Sequence, residues 1–326
     1  MDDNALFERL RPLRDALRAT IATVIVGQDE PVDRLIEALF TGGHALFVGV
    51  PGLAKTLLVQ TVAEAAGLQA GRVQFTPDLL PGDVTGSDVL EEDPDSGRRT
   101  SRFIPGPIFA QLLLADEVNR TPPRTQAALL QAMAERTVTS GGKTYALPEP
   151  FVVLATQNPI EQEGTWALPE AQLDRFLVSV SMTYPTAEQE IAIVHRTMVG
   201  EAPRVAQVSS AAEIVELAAL IRRIPLNPDV VRDAVALARA SRPGSGHPAA
   251  ARLAWGAGPR ASQALAAVAR TRAALDGREV ADRADLLAVA PSVLRHRVVL
   301  SFEAMAAGHT ADEVVAHLVE TVGKRG

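Results

Sequence analysis

The stretch His44-Ala45-Leu46-Phe47-Val48-Gly49-Val50-Pro51-Gly52-Leu53-Ala54-Lys55-Thr56-Leu57-Leu58 decides how the rest of the chain is read. The apolar run ending at Val48 suits a buried strand, Gly49 and Gly52 free the backbone to curl, and the apolar positions after Thr56 recur at helical spacing. Strand, glycine loop and helix in that order aim successive backbone N–H groups at an anion on a helix N-terminus. In the pattern G-x-x-x-x-G-K-[ST] the lysine reaches β- and γ-phosphates and the hydroxyl holds Mg²⁺, roles that fall here to Lys55 and Thr56. Gly49, Pro51, Gly52, Leu53, Ala54 and Leu57 are the other residues expected around the phosphates. Ala54 stands where the pattern has its second glycine, and as the smallest substitute it keeps a close backbone approach open.

A second anchor lies downstream. Gln111-Leu112-Leu113-Leu114-Ala115-Asp116-Glu117 reads as a buried parallel strand ending in two carboxylates, and open α/β sheets bind ligands at the carboxyl ends of their strands. Asp116 is placed to hold Mg²⁺ through water, and Glu117 to take a proton from water attacking the γ-phosphate. Phe151–Asn158 is a further apolar strand; Asn158 suits either a turn before Pro159 or an amide that orients the attacking water.

Between these anchors, Thr76–Pro107 is rich in Gly, Pro and Asp and too long for a structureless loop, so an inserted hairpin is expected. Thr137–Ser140 and Lys143–Ala146 alternate around Gly141-Gly142, a β-hairpin pattern. Pro169–Phe176 reads as a short helix that feeds the strand Leu177–Val180. Upstream, Leu6, Leu10, Leu13, Leu17 and Ile21 define an amphipathic helix that Asn4 is able to cap. Val24–Gln28 turns into a second helix, with Asp29 as the expected cap. Beyond Tyr184-Pro185 the strand pattern stops. A capping box at Thr186 and Gln189 opens a helix to about Met198, followed by helices near 210–222, 228–240, 260–276, 282–295 and 310–322. Ser241–Gly258 reads as a Gly- and Pro-rich linker. The expected architecture is an α/β nucleotide-binding core over 1–184 and an all-α domain over 185–326.

Composition narrows the partners. A formal net charge of −7 gives no global attraction to nucleic acid or to an anionic membrane. Without cysteine there are no disulfides or thiolate metal sites. The N-terminus opens Met1-Asp2-Asp3-Asn4, acidic where a signal peptide is basic, and no apolar run reaches membrane-spanning length, so a cytoplasmic protein is expected.

Taken in order, these segments resemble the MoxR-type AAA+ ATPases. Gly49–Thr56 looks like that family's Walker A, in which alanine before the lysine is usual, and Leu114–Arg120 like its Walker B. Val26-Gly27-Gln28 is similar to the segment lying near adenine, Ala155–Pro159 to sensor 1, Leu173-Asp174-Arg175-Phe176 to the arginine-finger segment, and Gly258–Ser262 to sensor 2. The resemblance implies ATP and Mg²⁺ as ligands, a hexameric ring with nucleotide between copies, Arg175 acting on a neighbour, and Arg260 reaching a γ-phosphate. It implies a chaperone-like remodelling ATPase that acts on client protein complexes with a von Willebrand factor A domain partner. A nucleotide-gated scaffold with little turnover, a chelatase-like subunit and a nucleic-acid motor are the alternatives. The last is disfavoured by the acidic balance and by Lys143 as the lone cation in the Thr137–Ala146 hairpin.

Overall fold

The computed structural model describes residues 2–92, 99–159, 164–198 and 204–323. Helices α1 (Asp3–Ala22) and α2 (Asp29–Thr41) lead into β1 (Ala45–Val48), the strand of the glycine loop. α1 buries Leu6, Leu10, Leu13, Leu17 and Ile21 as their spacing requires, but Asp2 rather than Asn4 caps it, accepting the Ala5 N–H at 2.8 Å. Asp29 lies inside the first turn of α2, where its charge still complements the helix dipole. There follow α3 (Lys55–Ala66), β2 (Ala70–Gln74), α4 (Pro81–Thr85), β3 (Gly86–Glu92), β4 (Arg99–Pro105) and β5 (Leu112–Asp116). Next come α5 (Pro123–Glu135), β6 (Thr137–Ser140), β7 (Lys143–Ala146), β8 (Val152–Gln157), α6 (Glu170–Leu173) and β9 (Val178–Ser181).

The five-stranded sheet has the order β2-β5-β8-β1-β9, with every pair parallel. Leu112–Ala115 and Val152–Ala155 are fully buried, which is why their sequences are continuously apolar rather than alternating. Val48 pairs with Gln157 and Ala115 with Ala155, so the carboxyl ends of β1, β8 and β5 emerge side by side. A parallel sheet gathers its strand-to-helix loops on one edge, and here that edge carries the glycine loop, Asn158 and the Asp116-Glu117 pair.

Both predicted insertions are hairpins. β3 and β4 pair antiparallel from Gly86–Pro105 to Glu92–Arg99, and the tip, including the expected Asp- and Gly-rich turn at 93–97, lies outside the described residues. β6 and β7 pair as their alternation predicts. The two hairpins touch: Phe103 stacks on Tyr145 with centroids 4.2 Å apart, and the Ser140 hydroxyl donates to Asp88 at 2.6 Å.

The second half contains α7 (Ala187–Met198), α8 (Ala211–Arg223), α9 (Pro228–Ala240), β10 (Leu253–Trp255), α10 (Pro259–Leu275), α11 (Arg283–Leu294), β11 (Val299–Leu300), α12 (Phe302–Ala306) and α13 (Ala311–Gly323). It is a helical domain with two departures from expectation: the segment read as linker contains a 3₁₀ turn at Pro248–Arg252 and β10, which pairs antiparallel with β11, and the short helix α12 follows that pair. Gly256 in that segment reflects close packing and not slack, since a Cβ there would lie 2.4 Å from the Ser241 carbonyl oxygen. Leu35 and Leu39 of α2 share one apolar cluster with Ile214, Leu217, Leu265 and Val268, so the helical domain rests on the same core as the sheet. Among the described residues no helix is long and apolar enough to cross a membrane.

Candidate functional site

The glycine loop owes its shape to two left-handed residues, Gly52 at φ +84° and Ala54 at φ +56°. A Cβ on Gly52 would meet nothing within 4 Å, so the backbone angle and not space calls for glycine there. Gly49 is the converse: a Cβ would lie 2.8 Å from that of Met182. Ala54 tolerates its angle at a cost on the order of 1 kcal/mol. α3 begins at the next residue with no side-chain cap, leaving its first N–H groups directed at the loop. The Lys55 ammonium donates to the Gly49 carbonyl at 2.5 Å. Burial pushes its pKa below the ordinary lysine value, while Asp116 and Glu117 pull it back up. A half-desolvated cation facing two carboxylates is a ready partner for a phosphate.

Across β8, the Thr156 hydroxyl ties the acidic pair together. It donates to Asp116 Oδ1 at 2.7 Å and accepts the Glu117 N–H at 2.8 Å. Asp116 also receives Arg72 at 3.0 Å. Glu117 sits at φ +58°, a strained angle for a non-glycine residue, and its carboxylate is held by Gln74 at 2.9 Å and Arg120 at 3.0 Å. Asn158 is buried at the end of β8, its carbonyl 3.5 Å from the Asn119 amide nitrogen. The Thr56 hydroxyl and the Asp116 carboxylate are both hard oxygen donors, the chemistry Mg²⁺ takes, so the residues present fit that ion.

Val26 and Gln28 line a cavity of about 130 Å³ with Gly52, Leu53, Ala54 and Leu57. Ile193 and Arg196 of α7 close it, a contribution the sequence did not disclose. Gly27 is left-handed at φ +71° and sits against α7, where a Cβ would be 2.5 Å from Gln189. Thr156 and Arg120 fall in the sensor 1 and Walker B segments with no role of their own in the sequence, and Arg72 and Gln74 fall outside every motif. Their signals were a polar residue ending the apolar strand at 151–155, alternating polar residues in β2, and an arginine three places after the acidic pair.

Arg175 and Arg260 are elsewhere. Arg175 lies just before β9, whose Val178 pairs with Ala45 at the amino end of β1, and it donates to the Leu130 carbonyl at 2.6 Å. Arg260 is 3.7 Å from Asp174 and lines the same cleft as Arg175, Gly43 and His44. Both therefore face the opposite end of β1 from the chain's own glycine loop, and Arg260 does not join that loop.

Residues 44–178 match the family described as "ATPase family associated with various cellular activities (AAA)", and residues 245–318 match "AAA lid domain". The chain is 40% identical over 305 residues to "Chaperone MoxR1" of Mycobacterium tuberculosis, covering 93% of this chain and 80% of that one. It is 34% identical over 307 residues to "Protein MoxR" of Methylorubrum extorquens, covering 86% and 85% respectively. A crystal structure from Cytophaga hutchinsonii superposes with a TM-score of 0.89 at 36% identity, covering 97% of this chain and 96% of the other.

Proposed function

This chain belongs to the MoxR family of AAA ATPases, and from that premise we propose that it hydrolyses ATP to ADP and phosphate at a site completed by a second copy of itself. One copy supplies the loop amides and Lys55 for the phosphates and the Val26–Gln28 cavity for the base. Glu117 takes the proton of the attacking water, which Asn158 orients. Thr56 and Asp116 would hold Mg²⁺, which when bound neutralises phosphate charge. The next copy supplies Arg175 and Arg260, whose guanidinium groups offset charge on the transferred phosphoryl.

The observation carrying this reading is the separation along β1. Four residues at about 3.3 Å each set the arginines and the glycine loop on opposite ends of the strand, farther apart than one arginine side chain spans. A heterologous arrangement closes into a ring where the rotation between copies returns to its start, and we read this one as a hexameric ring. Residues 1–184, with insertions at about 76–107 and 137–146, are then the nucleotide-binding core, and 185–326 the lid. The relative named a chaperone supports a remodelling role for the cycle. We read its targets as client protein complexes, its partner as a von Willebrand factor A domain protein and its place as the cytoplasm.

The test is turnover. Glu117→Gln should lower ATPase activity by about 100-fold or more while sparing nucleotide binding. Arg175→Ala should spare binding by the dilute chain and abolish hydrolysis by the assembled one. Retained turnover in Arg175→Ala would sink the shared site, and equal rates in Glu117→Gln would remove that residue from its role.

A further inference from the structure

The cleft at the amino end of β1 holds more positive charge than Arg175 and Arg260 account for. It measures about 460 Å³ and is lined by Arg136, Arg175, Arg260 and Arg297, with Asp174 as the lone carboxylate among its lining residues. In a chain of net charge −7 this is a local concentration of cations. Resting on the reading of a shared site, we propose that Arg136 is a third contact from this wall to the neighbouring copy's triphosphate.

Arg297 is not free for such a role. Its side chain is 4% exposed, and it is committed to Asp174 at 2.8 Å and to the Phe176 carbonyl at 2.6 Å. With Asp174 neutralised by that bond, Arg260 keeps only its 3.7 Å approach to the same carboxylate. Arg136 and Arg175 make matching contacts: each donates to one backbone carbonyl, Gly42 at 2.9 Å and Leu130 at 2.6 Å, and among the described residues neither has a carboxylate within ion-pair distance. Both are exposed, so most of the five N–H donors of each guanidinium remain available to an anion. Guanidinium groups converging on one concave surface suit a polyphosphate better than a single carboxylate.

The backbone points the same way. Arg136 ends α5 at φ +55°, a left-handed cap where glycine is the usual residue and an arginine is strained. The side chain's hydrogen bond to the Gly42 carbonyl, at the C-terminal end of α2, engages one nitrogen of the guanidinium. Gly42, at φ +77°, leaves the space: a Cβ there would come within 3.4 Å of Arg136 Nη2. An outlier held against its preference, at the mouth of a cationic cleft, is the pattern expected of a residue kept for binding.

The decisive variant is Arg136→Gly, which relieves the backbone while removing the cation. Its thermal midpoint should equal or exceed that of the parent, and Mg-ATP binding by the dilute chain should be unchanged, yet turnover of the assembled protein should fall about tenfold or more. Arg136→Lys should lie between the two. Mixing Arg136→Gly chains with Glu117→Gln chains, each poorly active alone, should restore turnover well above their mean, because the first offers an intact loop to the intact wall of the second. Parental turnover in Arg136→Gly would overturn the assignment. So would a mixture that fails to recover while the parallel mixture of Arg175→Ala with Glu117→Gln does recover. If neither mixture recovers, the shared site itself is wrong.

Discussion

Thr156 donates its hydroxyl proton to Asp116 Oδ1 at 2.7 Å and, through the same oxygen, accepts the backbone N–H of Glu117 at 2.8 Å. One fully buried hydroxyl thus fixes the carboxylate assigned to Mg²⁺ and the backbone carrying the proposed base. Thr156→Val keeps the shape and removes both bonds. It should cost about 1–3 kcal/mol in chemical denaturation, the penalty for unpaired buried polar groups, and lower ATPase turnover more than nucleotide affinity. Thr156→Ser should restore most of both.

Glu117 starts tethered. Gln74 and Arg120 both donate to its Oε2, which holds the carboxylate turned toward β2. Gln74→Ala removes the neutral tether without touching the glycine loop. Basal turnover should rise several-fold at unchanged nucleotide affinity, and a fall in turnover would mean that Gln74 orients Glu117 productively.

Arg297 joins the two halves of the chain, bonding Asp174 and the carbonyls of Phe176 and Leu177 from its place just after α11. Burial lowers its pKa, and the bond to Asp174 holds the charge in place. Arg297→Met leaves Asp174 and those carbonyls without their donor and should cost about 3–5 kcal/mol in urea unfolding. Adding Asp174→Asn should recover part of that loss, the mark of a coupled pair.

Two histidines make the fold sensitive to acid. His44 accepts the Val153 N–H on Nδ1 at 3.0 Å and donates from Nε2 to the Met133 carbonyl, and burial pushes its pKa down to about 4. His296 is also held well below the ordinary value by burial. Both are neutral when folded, while in the unfolded chain they take up protons below about pH 6.5. Between about pH 6.5 and about pH 4 the unfolded state therefore binds more protons, and stability falls as pH falls. For His44 the loss is on the order of 3 kcal/mol, and above about pH 6.5 it contributes no slope. Denaturation midpoints across that window should show a flatter dependence in His44→Gln.

What the sequence discloses follows the reach of each interaction. The glycine loop, the acidic strand end and the Gly141-Gly142 hairpin depend on residues a few positions apart, so their patterns survive in one dimension. β10 and β11, at three and two residues, are too short to carry an alternation. Thr156 shows locally only as a polar end to an apolar strand, and its action on a residue 40 positions away across a strand pair needs the fold. The end of β1 that Arg260 faces is fixed by its approach to Asp174 in the other half of the chain. α7 as a wall of the Val26–Gln28 cavity likewise needs the fold, since its own sequence shows only an amphipathic helix.

On the shared-site proposal, the opposed placement of the glycine loop and Arg175 carries an arithmetic of assembly. In an open row of copies the first always lacks an upstream neighbour and the last a downstream one, so the row holds one fewer complete site than it has members. Closure supplies the missing site at a stroke. Specific activity should therefore climb with concentration and level off only when no free ends remain, making the enzyme a gauge of its own abundance.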